Sequence, residues 1–266
     1  MRLVIIGGGN MGGAILLSLL KSTSVSSKDI LLIESDVEKL QKIGDATGCN
    51  IQTEIDETVR SYEIVMLAVK PQSATAVMGL LAQWLMPKHV VVSVMAGISL
   101  DTMRGVLGKS RLVRVMPNIP TLIGEGMSVF FASERVGSEG RELVKDIFNS
   151  CGSCLEVKNE DAIDAATAVS GSGPGYLFYF AEQMLLSANA LGFNEVEAHS
   201  LVQQTLRGAT LLWESQQVPP ETLRQQVSSP GGTTLAALNH FQLKNVGKSI
   251  QEGMREAYRR AKELSL

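Results

Sequence analysis

Short, unbroken apolar runs punctuate the first 157 residues, at 3–7, 30–34, 64–69, 90–95, 112–116, 127–131 and 154–157. Continuous rather than alternating hydrophobicity marks a strand covered on both faces, so each run is expected to be an interior strand. Between several of them the period lengthens, and the segments 11–20, 37–47, 73–85 and 138–150 read as helices. Strands alternating with helices predict a parallel sheet with helices on both sides.

After about residue 158 the apolar runs of strand type stop. Asn159 begins a helix, with Glu160 and Asp161 suited to its N-terminal dipole. "PGYLFYFAEQMLLSANALG" opens on Pro174 and closes on Gly192, a first-turn proline and a terminal glycine. The segments 195–215 and 235–264 are also helical by period. The chain is therefore expected to be α/β: a Rossmann-like doubly wound sheet over 1–157, then an all-helical domain over 158–266. The stretch 175–191 is apolar on more than one face. Such a helix must be covered all round. In so small a domain that points to a second subunit, and the helical domain is read as a dimerisation domain.

Composition removes several function classes. With 45% hydrophobic and 19% charged residues the chain can bury an ordinary core. Its net charge of -3, without clustered Lys or Arg, argues against nucleic acid as a partner. No run of about 18 apolar residues offers a membrane span. The opening "LVII" meets glycine too soon for a signal sequence, so a cytoplasmic protein is expected. Cys49, Cys151 and Cys154 are an odd set that supports no disulfide framework. "CGSC" is a single CxxC and reads as a helix end running into a strand. His89, His199 and His240 have no ligand spacing, and no metal is expected.

Two stretches carry candidate chemistry. "LVIIGGGNMGGA" is a strand, then Gly7-x-Gly9-x-x-Gly12, then a helix. In that context the glycines form a dinucleotide loop. Gly7 permits the tight turn, Gly9 lets a pyrophosphate approach, and Gly12 lets helix and strand pack. The phosphates would lie near Asn10 and Met11 at the helix N-terminus. Glu34, at the end of the second strand, suits a ribose 2′-hydroxyl and opposes a 2′-phosphate; no Lys or Arg follows until Lys39. This tilts the reading toward NADH over NADPH. The ends of the next two strands add Ala68, Val69, Lys70, Pro71, Ala96 and Gly97 beside the cofactor.

The second stretch is "SSPGGTT", 228–234, which interrupts helical sequence with a turn. A new helix begins there, and its unpaired N–H groups suit an anion. The glycines open the approach, and hydroxyls line it. Physics alone reads the pair of motifs as a small anion presented to a nicotinamide.

The pieces "GGGNMGGAI", "AVKPQ", "RVMPNIP", "GEGMSV", "AVSGSGPGY" and "VSSPGGTT" span nearly the whole chain. In this order they resemble the pyrroline-5-carboxylate reductases of proline biosynthesis. The resemblance implies hydride transfer from NADPH or NADH to the C=N carbon of 1-pyrroline-5-carboxylate, giving L-proline. It implies an interlocked dimer, which in the family commonly builds into a decamer. Carried over by motif, Ser229, Gly232, Thr233 and Thr234 hold the substrate, with Thr234 placed to hydrogen-bond the ring nitrogen as the catalytic candidate. Glu160 aligns with a position lining the proline pocket, its other reading being a helix-dipole partner. Thr167 and Ser170 lie on or beside the same wall. The chain departs from the family at Ile119, where a threonine is usual, and at Ile55 and Asp56, where an adenosine-side asparagine is common. It departs again at Glu34, where NADPH users carry a small hydroxyl or basic residue. Two alternatives share the plan. One is a related imine or β-hydroxyacid reductase, although the helical domain's lysines, Lys244, Lys248 and Lys262, all lie beyond the turn. The other is a nucleotide-binding regulator without catalysis.

Overall fold

The computed structural model describes residues 1–22, 25–108 and 110–265. Its first part runs β1 (Leu3–Ile6), α1 (Asn10–Lys21), β2 (Ile30–Ile33), α2 (Val37–Thr47), β3 (Asn50–Gln52) and β4 (Ile64–Leu67). It continues with α3 (Ala74–Ala82), β5 (Val90–Ser93), α4 (Leu100–Leu107), β6 (Arg111–Met116), β7 (Gly126–Ala132), α5 (Ser138–Asn149), β8 (Gly152–Glu156) and α6 (Asp161–Ala166). The eight strands form one sheet in the order β3-β2-β1-β4-β5-β6-β7-β8.

The sequence-based expectation of a parallel sheet needs one correction: β6 and β7 pair antiparallel. A parallel return would need a crossover of a dozen or more residues. The link between them holds only a 3₁₀ turn, Ile119–Ile123, packed against α1. All other neighbouring strands are parallel.

The continuous apolar runs are explained by burial on both faces. Leu3 and Ile5 join Leu16, Leu19, Leu32, Met66 and Phe148 on one side of the sheet. Val4 and Ile6 join Leu31, Val65, Met78, Leu81 and Met103 on the other. Each such side chain contributes about 1.5–3 kcal/mol by leaving water. Strand order reverses between β1 and β4, so the crevice beyond their carboxyl ends is the expected ligand position.

A widened π-turn, Thr167–Gly171, follows α6. The remaining elements are α7 (Gly173–Ala190), α8 (Glu195–Gln216), α9 (Pro220–Gln226), α10 (Thr233–Leu243) and α11 (Val246–Ser265). The stretch 235–264, read as helical, breaks where Asn245 adopts a left-handed conformation, φ 55°. By packing, one unit spans Met1–Ser172 and resumes at Ala257, and a second spans Gly173–Glu256. The 157/158 boundary read from sequence marks where the strands end. No helix among the described residues is long and apolar enough to cross a membrane.

Candidate active site

Each glycine of the β1–α1 loop has a measurable reason. Gly7 has φ 105°, and a Cβ there would lie 2.7 Å from the Ala68 carbonyl carbon and oxygen. A Cβ on Gly12 would lie 2.0 Å from the Gly7 carbonyl oxygen. Gly9 faces open space, as a backbone that must admit a ligand should. It is also the N-cap of α1, where no side chain caps the helix. Asn10, exposed, and Met11, half-buried, start that helix. The loop thus presents uncapped N–H donors, the arrangement that binds a pyrophosphate.

A cavity of about 430 Å³ opens beside it, lined by Gly7, Glu34, Ser35, Thr53, Ile55 and Val69 among others. Glu34 stands just past β2 and is not a free acid. Its Oε2 accepts from Gly8 N–H at 2.9 Å and from Lys39 Nζ at 2.6 Å. Its Oε1 accepts from Asp36 N–H at 3.2 Å. Burial would raise its pKa, but the Lys39 hydrogen bond and the Asp36 and Gly8 N–H groups outweigh that and hold the carboxyl below its ordinary value.

Beyond β4, Ala68 and Val69 are half-buried, while Lys70 and Pro71 are exposed as Pro71 opens a 3₁₀ turn. Beyond β5, Ala96 is exposed and Gly97 has φ 74°. A Cβ on Gly97 would lie 2.6 Å from the Leu264 carbonyl oxygen. The glycine at 97 is therefore explained first by the end of α11 packing against it.

Glu160 is the N-cap residue of α6, but its side chain, 26% exposed, makes no capping bond to that helix. Its Oε1 accepts from Leu100 N–H at 2.7 Å, at the start of α4, and from Arg114 Nη1 at 3.1 Å. Arg114 is buried on β6. Its Nη2 donates to Asp164 at 2.7 Å and to Ser265 Oγ at 2.9 Å. Asn159 takes the helix-starting role instead, accepting from Ala162 N–H. In the π-turn, Ser172 N–H donates to Thr167 O, a five-residue step. Thr167 Oγ1 donates to Ile163 O, and Ser170 Oγ to Ala166 O. Asn118 ties this turn down: Nδ2 donates to Ser170 O at 3.0 Å, and Oδ1 accepts from Met127 N–H at 2.8 Å.

In the second unit, the turn at 228–234 has the expected form. Gly231 is left-handed, φ 73°, and Gly232 N–H donates to Ser229 O at 3.0 Å. Gly232 is the N-cap of α10, and no side chain caps that helix. With the Gly232 N–H held in the turn, the donors without an intrahelical acceptor are those of Thr233, Thr234 and Leu235. Ser229 and Thr233 are exposed and Thr234 is half-buried.

The cysteines are free: Cys151 follows α5 and Cys154 lies on β8. Burial raises the Cys151 thiol and pushes Cys154 up to about 12, so neither is a thiolate near neutral pH. Sequence reasoning missed Arg114, whose partners lie far along the chain. It also missed Lys39 as the partner of Glu34, although its place on the first turn of α2 was a usable signal.

Comparison with known proteins adds to this geometry. A family model described as pyrroline-5-carboxylate reductase dimerisation matches residues 160–264. One described as NADP oxidoreductase coenzyme F420-dependent matches residues 2–97. The chain is 35% identical over 265 residues to the pyrroline-5-carboxylate reductase of Pseudomonas aeruginosa, covering 99% of this chain and 97% of that one. It is similar to the solved structure of a pyrroline-5-carboxylate reductase from Coxiella burnetii, with TM-score 0.94 and 31% identity, covering 100% of this chain and 98% of that one. The Plasmodium falciparum pyrroline carboxylate reductase structure, solved with NADP bound, matches with TM-score 0.89 and 26% identity over 100% of this chain and 98% of that one.

Proposed function

The chain belongs to the pyrroline-5-carboxylate reductase family, and from that premise we propose which of its residues carry the work. The enzyme is an oxidoreductase of proline biosynthesis that reduces 1-pyrroline-5-carboxylate to L-proline. NAD(P)H, when bound, supplies the hydride. Gly7, Gly9 and Gly12 with the start of α1 suit its pyrophosphate, and the cavity by Glu34 suits its adenosine end. Ala68, Val69, Lys70, Pro71, Ala96 and Gly97 belong to the same proposal through their places at strand ends.

The substrate carboxylate is assigned to the N-terminus of α10. The observation that carries this is a helix opened by "SSPGGTT" with no side chain capping it. An N-terminus of this kind attracts an anion by about 0.3–1 kcal/mol when exposed and up to ~2 when partly buried. The N–H groups of Thr233 and Thr234 with the Ser229 hydroxyl supply the donors, and Gly232 supplies shape. Thr234 holds the ring nitrogen. An alcohol is a poor general acid near neutral pH, so its contribution is orientation. Glu160 and Thr167 keep the substrate-side role that the family resemblance gives them. The bonds of Glu160 run to Oε1, which leaves Oε2 for a ligand.

The dimerisation domain supports self-association. Assembly of dimers into a decamer and a cytoplasmic location complete the proposal. Gly232→Asp tests the carboxylate site. Its backbone, φ -78° and ψ 165°, is extended and Asp is a good N-cap, while a Cβ there would lie 2.6 Å from Ser229 Oγ, so that hydroxyl must turn aside. A capping carboxylate there would occupy the anion's donors. KM for pyrroline-5-carboxylate should rise at least about tenfold while the dissociation constant of the nucleotide stays near wild type; an unchanged KM would remove α10 from the site.

A further inference from the structure

Four donors converge on Glu34. Gly8 N–H and Lys39 Nζ reach Oε2; Asp36 N–H and the Ser35 hydroxyl, at 3.4 Å, reach Oε1. A lysine, a hydroxyl and backbone N–H groups beside a helix start make a donor set suited to a phosphate. The helix is α2, whose N-cap Asp36 accepts from Lys39 N–H and so fixes the lysine in the first turn. The adjoining cavity is where an adenosine ribose is assigned, and Glu54 adds a second acid to its wall.

We infer that Glu34 is a built-in stand-in for the 2′-phosphate of NADPH, and that Lys39 together with Glu34 sets nucleotide choice. This rests on the NAD(P)H-dependent reading above. A lone acid at this position would oppose a 2′-phosphate by its charge. Here Lys39 offsets much of that charge, and exclusion works by occupancy: the carboxylate uses the donors the phosphate would need. NADPH must displace Glu34 from Lys39, Ser35 and Asp36. NADH asks only for an acceptor for its ribose hydroxyl, which Glu34 provides in place. Removing the carboxylate charge releases Lys39 for the phosphate; removing Lys39 leaves Glu34 uncompensated.

The test is the ratio of dissociation constants for NADPH and NADH, measured by fluorescence titration without substrate. It compares wild type, Glu34→Gln, Lys39→Met and the double variant, with kcat/KM for both nucleotides as a second readout. Wild type should bind NADH more tightly. Glu34→Gln should shift the ratio at least about tenfold toward NADPH, and the double variant should lose that shift. Lys39→Met alone should move the ratio toward NADH. A wild type binding NADPH as tightly as NADH overturns the inference, as does an unmoved ratio in either single variant or a gain that survives loss of Lys39. A purely structural role for Glu34, through Gly8, would weaken both nucleotides alike and leave the ratio still. Failure of the underlying reading looks different: neither nucleotide would support pyrroline-5-carboxylate reduction.

Discussion

His89 shows how one buried side chain makes the fold depend on pH. It is 1% exposed, and its Nδ1 accepts from Met86 N–H at 2.9 Å, which requires that nitrogen to be unprotonated. Burial first, and neighbouring Lys88 second, hold its pKa below the ordinary value of about 6.5. Between the folded pKa and about 6.5 the unfolded chain binds more protons, so stability rises with pH there and is lost on acidification. Denaturant unfolding at a series of pH values should show wild type weakening below about pH 6.5. In His89→Gln that part of the loss should disappear; equal pH dependence in both proteins would contradict it.

Among elements, the π-turn and its anchor bear most on the substrate role proposed for Thr167. Asn118 uses both ends of its amide, one on the π-turn and one on β7, and is 9% exposed. Asn118→Asp keeps the acceptor for Met127 but turns an oxygen toward the Ser170 carbonyl. An unsatisfied buried group costs about 1–3 kcal/mol, more if charged. The melting temperature should fall by roughly 4–8 °C for a loss near 2 kcal/mol in a chain of this size. KM for pyrroline-5-carboxylate should rise more than the dissociation constant of the nucleotide. Equal effects on both, or none, would remove Asn118 as a positioning residue.

The same elements show what could be read in advance. β1, β2, β4 and β5 were legible because burial on both faces leaves unbroken apolar runs. β3 was not: Asn50, Ile51 and Gln52 carry one apolar side chain between two polar ones. α4 was also missed, although Ser99 caps it and Leu100, Met103 and Leu107 bury one face. The reversal of β7 depends on the shortness of a link rather than on composition. The π-turn is a shift of hydrogen-bond register and has no compositional trace. "GGGNMGG" and "SSPGGTT" were legible because glycine answers to backbone geometry, which is local. The Arg114 network was not, since Glu160, Asp164 and Ser265 meet it only through the fold.

At the scale of the whole molecule, the second unit exposes side chains that belong in a core. Phe178 is 63% exposed, Tyr179 66% and Leu243 75%, and α7 buries no residue at all. Apolar surface of that extent marks an interaction face, and the match to a dimerisation domain identifies the partner as a second copy. Light scattering on the purified protein should give the mass of two chains or a multiple of two; the mass of one chain would contradict the assignment. The central claim is catalytic, and the reaction itself tests it most directly. The purified enzyme is mixed with 1-pyrroline-5-carboxylate and reduced nicotinamide nucleotide, and L-proline is quantified against nucleotide consumed. The account predicts oxidation that depends on the imine and yields one proline per nucleotide. Nucleotide oxidation indifferent to the imine, or none with either NADH or NADPH, would contradict it.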